Sequence, residues 1–250
     1  MLRILDARTG ETVDAARARR GLVRVHAQVP GSGPTGLRVL LVADVLVRAL
    51  EIGGSPVWAT LTSAADPADP GDGARLRASA ADLGIRPFED HRDPGPGSAA
   101  SQAVDIVVSG AAATDGVQVA VAPVETGGAC GTGVAPAPAD PTVLRLALLA
   151  PGRDRPLRLD AAALDEAEDT LRRWRAAVAG WATRPSKPVP EDVRRRLRAA
   201  WEDDLDVPGV LDVLRGVENS DIAEGARFET YAYADRLLGL ELTRQIGASL

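Results

Sequence analysis

Histidine, cysteine and lysine are almost missing from this chain. It has two histidines, His26 and His91, one cysteine, Cys130, and one lysine, Lys187. A single cysteine excludes an internal disulfide, and two histidines cannot complete a Cys/His cluster, so no structural or catalytic zinc is expected. The opening residues Met1–Arg8 have no apolar signal core, and no apolar run reaches the roughly 18 residues a membrane span needs. The expectation is therefore a cytoplasmic protein with no membrane association. A net charge of −6 leaves too little concentrated basic surface for sequence-independent adhesion to nucleic acid. The length of 250 residues suits one large domain or two ordinary ones, each able to bury a full core.

The first half alternates strand and helix signals. Val23–Val29 is apolar at every second position, the period of a half-buried strand. The loop Pro30-Gly-Ser-Gly-Pro-Thr-Gly36 leads into Leu37–Glu51, an aliphatic stretch suited to a helix packed on a sheet. Pro56–Thr62 predicts the next strand and Ala74–Leu83 a helix ended by Gly84. Asp90–Gln102 has loop composition, and Val104–Gly110 and Val117–Val124 predict two more strands. This alternation predicts a mostly parallel sheet covered on both faces, with ligands near the strand carboxyl ends.

Gly127–Pro141 is rich in Gly, Ala and Pro, and it reads as a linker or an active-site loop. Beyond it, Leu164, Ala167, Leu171, Trp174, Val178 and Trp181 form one apolar stripe of a helix capped by Asp160. Val193, Leu197, Trp201 and Leu205 repeat the pattern behind Pro190, with Glu191 and Asp192 favouring the positive helix start. Asp206 opens a third helix and Ser220–Leu240 a fourth. Trp174, Trp181 and Trp201 belong to the apolar stripes and are expected in the core.

From Asp140-Pro-Thr-Val-Leu-Arg-Leu-Ala-Leu-Leu149 through Ala163-Leu-Asp-Glu-Ala-Glu168 to Trp201-Glu-Asp-Asp-Leu-Asp-Val-Pro208, the chain resembles class I cysteinyl-tRNA synthetases. It equally resembles the related mycothiol-pathway ligase that joins cysteine to an amino-sugar inositol. Upstream, Val42-Ala-Asp-Val-Leu-Val-Arg-Ala-Leu-Glu51 is similar to the helix after the family's ATP-binding motif, and Ala81-Asp-Leu-Gly-Ile-Arg-Pro87 to a later landmark. The resemblance spans nearly the whole chain, with deletions in the first half. Pattern and resemblance together imply an α/β protein: a Rossmann-like, class I synthetase-type parallel-sheet domain over 1–139, followed by an α-helical bundle over 140–250.

The family's chemistry is not carried over. Gly33-Pro-Thr-Gly36 stands where the resemblance places a His-Ile-Gly-His type signature, whose side chains stabilise charge on ATP phosphates. The lysine-rich loop that should precede Asp140 is matched by Glu125–Gly133, which has no lysine, and the family's zinc ligands have no counterpart. What remains is a candidate nucleotide or ligand pocket of Ser32, Gly33, Thr35, Gly36, Arg38 and Ser109. A glycine loop at a helix start can hold an anion, but glycine and proline are also ordinary turn residues there. Arg38 reads equally as a nucleotide contact or a solvated arginine. His26 reads as a hydrogen-bonded sheet histidine, and His91 has no assigned role. Cys130 reads as a chance cysteine in preference to a reactive thiol. Arg172, Arg173, Arg175 and Arg194–Arg198 read as solvated helix faces with acidic neighbours such as Glu168 and Glu202.

No catalytic residue is assigned. The expected function is that of a non-aminoacylating synthetase relative that binds a small ligand or a protein partner, as a homodimer or as a pseudo-subunit of another enzyme. The alternative is an ATP-dependent ligase that activates a carboxylate, such as that of an amino acid, and transfers it to an amine. The sequence leaves the cofactor open, with ATP the candidate. No anticodon-binding domain is expected after the bundle, and tRNA is not an expected partner.

Overall fold

A computed structural model describes residues 1–16, 22–64, 71–91, 102–112, 116–126 and 138–247. The first half contains β1 (Arg3–Asp6), β2 (Glu11–Asp14), β3 (Val23–Val29), α1 (Pro34–Ile52), β4 (Val57–Ser63), α2 (Asp72–Asp82), β5 (Glu89–Asp90), β6 (Gln102–Val108), β7 (Val117–Val121) and β8 (Val124–Thr126). The second contains α3 (Pro141–Leu149), β9 (Leu157–Leu159), α4 (Ala161–Trp181), α5 (Glu191–Glu202), α6 (Val207–Glu218) and α7 (Glu224–Leu238). This is a Rossmann-like α/β arrangement with a helical part.

The central sheet is entirely parallel, in the order β5-β4-β3-β6-β7. Its period-two strands put Val23, Val25, Ala27 and Val29 of β3, with Val104 and Ile106 of β6, on one apolar face. That face packs on α1, which also touches α3 and α7. A helix enclosed in this way has no solvent face, and every residue of α1 from Gly36 to Val47 is buried, Arg38 and Asp44 included. Each fully buried leucine there, such as Leu41 or Leu46, contributes roughly 1.5–3 kcal/mol. The opposite sheet face carries Arg24, His26 and Gln28 on β3, aligned with Trp58, Thr60 and Thr62 on β4. The described helices of this half do not supply a second layer there: α2 packs on α1. The expected sheet is covered on both faces, and on this one His26, Thr60, Asp105 and Gln118 are buried. The β6–β7 connection, residues 109–116, is too short for the usual crossover helix of a dozen or more residues.

Strand β7 ends at Val121, three residues before its expected limit. Pro123 has no N–H to extend the ladder, and Ala122 turns its N–H to the Arg153 carbonyl at 2.7 Å. The chain then forms β8, which pairs in parallel with β9. The antiparallel β1–β2 hairpin was not read from the sequence, although Leu2 and Ile4 are buried. Helices α3, α4 and α6 start at aspartate caps: Asp140 accepts from Thr142 N, Asp160 from Ala163 N and Asp206 from Gly209 N, at 2.9–3.1 Å. Helix α7 begins at Glu224, after Ser220, and ends on Gly239 at φ 63°. Trp174, Trp181 and Trp201 are core: Tyr231 meets Trp174 and Trp181 edge-on, with ring centroids 5.6 and 5.2 Å apart.

Two buried ionic clusters tie these elements together. Asp44 of α1 and Arg145 of α3 are fully buried and paired at 2.8 Å. Arg145 also donates to the Leu238 carbonyl at 2.6 Å and to the Leu83 carbonyl at 2.9 Å. Arg48 and Arg86 complete the shell of Asp44 at 2.8 and 3.2 Å. The second cluster corrects the reading of Arg175 as a solvated arginine. It is 4% exposed and donates to Asp140, the Thr142 hydroxyl and the Leu240 and Glu241 carbonyls. Arg172 and Arg173 are exposed and paired with Glu168 and Glu218, as a surface face should be.

Both clusters are testable. Arg145→Met takes the one fully buried arginine from the Asp44 carboxylate and the donor from two buried carbonyls, and a loss of about 3–5 kcal/mol is expected in urea unfolding. For Asp140, burial by itself raises the carboxyl pKa, but the Thr142 hydroxyl, the Arg175 guanidinium and the Thr142 N–H bring it down to about 2. Its folded value lies below its unfolded one, so its stabilisation is present above the ordinary aspartate value and is lost as pH falls through 2. Between pH 5 and pH 2 the wild type should lose roughly 2 kcal/mol more than Asp140→Asn, measured by denaturant titration at each pH.

Candidate functional site

The sheet order reverses between β3 and β6, and the loop leaving β3 opens at that switch point, where α/β folds bind ligands. The loop doubles back over the first turn of α1. A Cβ on Gly36 would lie 1.9 Å from the Gly31 carbonyl oxygen and 2.8 Å from Val29 Cγ1, so only glycine permits this path. Gly31 itself takes φ 147°. Gly33 is the exposed helix cap and has no side-chain capping bond.

The loop's polar groups turn inward. Ser32 donates both its hydroxyl and its N–H to the carboxylate of Asp72, at the start of α2, with N–O distances of 3.1 and 3.3 Å. That carboxylate is largely buried and is shared with Arg75 at 3.2 Å. Thr35 accepts from the Val124 N–H at 3.0 Å and donates to the Val124 carbonyl at 3.4 Å, fastening α1 to β8. Arg38 is fully buried, which corrects the solvated reading. Its terminal nitrogens donate to four carbonyls, those of Ala122, Arg155, Gly152 and Pro151, at 2.8–3.4 Å. Burial pushes its pKa down, and Asp154 partly offsets this. Ser109 is exposed beyond β6, and its N–H donates to the Val121 carbonyl at 2.9 Å. The structure thus gathers Ser32, Gly33, Thr35, Gly36 and Arg38 in one turn and the helix it starts, but it commits the side chains of Ser32, Thr35 and Arg38 to the fold.

Asp72 is the residue the sequence reading missed. It lies 40 positions from Ser32, and nothing in the linear pattern marks it. Residues 127–133 of the expected lysine-loop counterpart, Cys130 among them, lie outside the described residues. His26 is a buried, hydrogen-bonded sheet histidine, as its alternation implied. No group of three or more His, Cys, Asp or Glu among the described residues is arranged to hold a metal ion. No described helix is long and apolar enough to cross a membrane.

No protein-family model matches the chain. Among curated proteins, the L-cysteine:1D-myo-inositol 2-amino-2-deoxy-alpha-D-glucopyranoside ligase of Streptosporangium roseum is 39% identical over 109 residues, covering 42% of this chain and 26% of that protein. The ligase of the same name from Thermobispora bispora is 43% identical over 76 residues, 30% of this chain and 18% of the relative. That of a Parafrankia species is 40% identical over 88 residues, 35% and 19% respectively. The chain is similar to cysteine ligases over part of its length. The match spans about a quarter of the first of these relatives and less of the other two. This partial similarity and the Rossmann-like sheet support a synthetase-like reading.

The inward packing of the loop makes a paired prediction. Gly36→Ala should destabilise the protein by about 3 kcal/mol or more, because backbone must move to admit the methyl group. Gly33→Ala meets nothing within 4 Å at a φ of −71°, and it should change the unfolding free energy from urea titration by no more than about 0.5 kcal/mol.

Proposed function

We propose that this chain is a synthetase-like scaffold that does not form an aminoacyl adenylate and that presents its fold to a small ligand or a protein partner. The observation that carries this reading is the commitment of the loop's donors to internal acceptors. Phosphate binding at a glycine loop requires N–H and O–H groups aimed outward at an anion. Here Ser32 faces the carboxylate of Asp72, an anion the protein itself supplies. A negative group in that place is the wrong neighbour for a polyphosphate. Thr35 and Arg38 are likewise held by Val124 and by four carbonyls. These residues do not fit the phosphates of ATP, and no step is assigned to that nucleotide.

The second reading is an ATP-dependent ligase, favoured by the cysteine ligases to which part of the chain is similar. The two readings separate in a titration. A ligand selective for the folded state raises the thermal midpoint by mass action, by about 2.7 kcal/mol of stability at a hundredfold excess over Kd. The scaffold reading expects no midpoint shift with millimolar ATP and no amino-acid-dependent pyrophosphate exchange. Exchange in the presence of cysteine or another amino acid would overturn it in favour of the ligase.

A further inference from the structure

The polar face of the sheet holds an arrangement that the nucleotide question leaves untouched. His26 on β3, Thr60 on β4 and Asp105 on β6 share one register row, and Thr62 stands one row nearer the strand carboxyl ends, opposite Gln28. The His26 imidazole spans these strands. Its Nδ1 lies 3.2 Å from Asp105 Oδ1 and its Nε2 lies 2.9 Å from the Thr62 hydroxyl. A carboxylate only accepts, so in the neutral imidazole the proton belongs on Nδ1, Nε2 presents its lone pair, and Thr62 donates. The His26 and Asp105 side chains are each 9% exposed, whereas Thr62 is exposed.

The imidazole is held on a further side. The ring of His91 stacks on it at a centroid distance of 4.0 Å and an angle of 11°. The far oxygen of Asp105 is confined by Gly116, where a Cβ would come within 2.5 Å of Oδ2. A buried polar cluster keeps its members hydrogen-bonded. This one ends on an exposed hydroxyl at the carboxyl end of β4, the end of the sheet where α/β proteins place their ligands. A hydroxyl on an imidazole that is itself oriented by a carboxylate is the nucleophile, base and orienter sequence of acyl-transfer sites, which unrelated folds reach by geometry.

We propose that Thr62, His26 and Asp105 form a catalytic site for the hydrolysis of activated carboxylic esters. Thr62 Oγ1 forms a bond to the acyl carbon while its proton passes to His26 Nε2. The acyl–oxygen bond to the leaving group then breaks, and the leaving group takes that proton as an alcohol. Water attacks the resulting ester on Thr62 and gives a proton to Nε2, and Oγ1 takes it back as the carboxylic acid departs. The sum is ester plus water giving acid plus alcohol, with no cofactor. Thr62 and His26 are catalytic residues. Asp105 is a positioning residue, since it acts through His26. This activity goes beyond the scaffold reading and depends neither on ATP nor on the loop at Ser32.

The test uses p-nitrophenyl acetate and the full chain. The wild type should release p-nitrophenol faster than buffer, and peptide mass spectrometry after an acid quench should find acetyl on Thr62. Thr62→Val keeps the side-chain shape at an exposed position, so it should hold the thermal midpoint while lowering hydrolysis to the buffer rate. Thr62→Ser should retain turnover and acetylation at position 62. His26→Gln should abolish both. Asp105→Asn should lower kcat by up to about 10⁴-fold with KM little changed, a split that a purely structural effect would not produce. A wild type at the buffer rate, or a well-folded Thr62→Val that hydrolyses the ester as fast as the wild type, would overturn the proposal.

Discussion

The buried pair of Asp44 and Arg145 is the interaction on which the two halves of the chain depend. Asp44 is on the helix that underlies the parallel sheet, and Arg145 is on the first helix after it. From that position Arg145 also satisfies carbonyls at the ends of α2 and α7. Burial alone would raise the Asp44 pKa, but Arg145 and Arg48 outweigh it and the net direction is down. A desolvated pair repays its cost only when every remaining donor and acceptor finds a partner. Each guanidinium nitrogen of Arg145 finds an acceptor, and the fit is close enough to constrain a residue 94 positions further on. Gly239, in the left-handed region, would drive a Cβ to 2.9 Å from Arg145 Nη2 and 3.2 Å from Arg48 Cζ. Its missing side chain both ends α7 and leaves room for two guanidinium groups.

Three arginines of this chain share one structural role. Arg38, Arg145 and Arg175 are buried and spread their donors over carbonyls from segments far apart in sequence. A guanidinium suits this because its planar fork offers five donors and stays charged at any physiological pH. An ammonium group is a compact point charge and could not bridge the same set of carbonyls. The chain's near-total preference for arginine over lysine therefore has a structural use at these positions. The use of Arg38 also bears on function. A side chain that joins α1 to the α3–β9 connection is one the fold has claimed.

Much of the architecture was legible in the sequence, because it follows from periodicity and punctuation. Val23–Val29 was placed to the residue by alternation, Asp160 marked the start of α4, and Trp174, Trp181 and Trp201 fell on apolar stripes that are core. The errors arose where a tertiary contact competes with a local signal. Val117–Val124 looked like one strand, yet Pro123 and the Arg153 carbonyl draw the chain out of the sheet. Arg175 looked solvated because its acidic neighbours in sequence suggested surface pairs, whereas its partners are Asp140, Thr142 and the chain after α7. The candidate loop was located correctly as the turn from β3 into α1. Which way its donors point was not legible, since that depends on Asp72, 40 residues away.

The sequence by itself determined the succession from β3 through α1 to β4 and the helix starts at Asp160 and Asp206, because each is a property of residue type at short spacing. Only the tertiary structure decided that the glycine loop closes on the protein's own carboxylate and that His26, Asp105 and Thr62 meet. Those groups sit on three different strands, and parallel pairing brings into one register row residues 79 positions apart. Linear spacing carries no trace of such a meeting. It exists only once the sheet order and its register have formed.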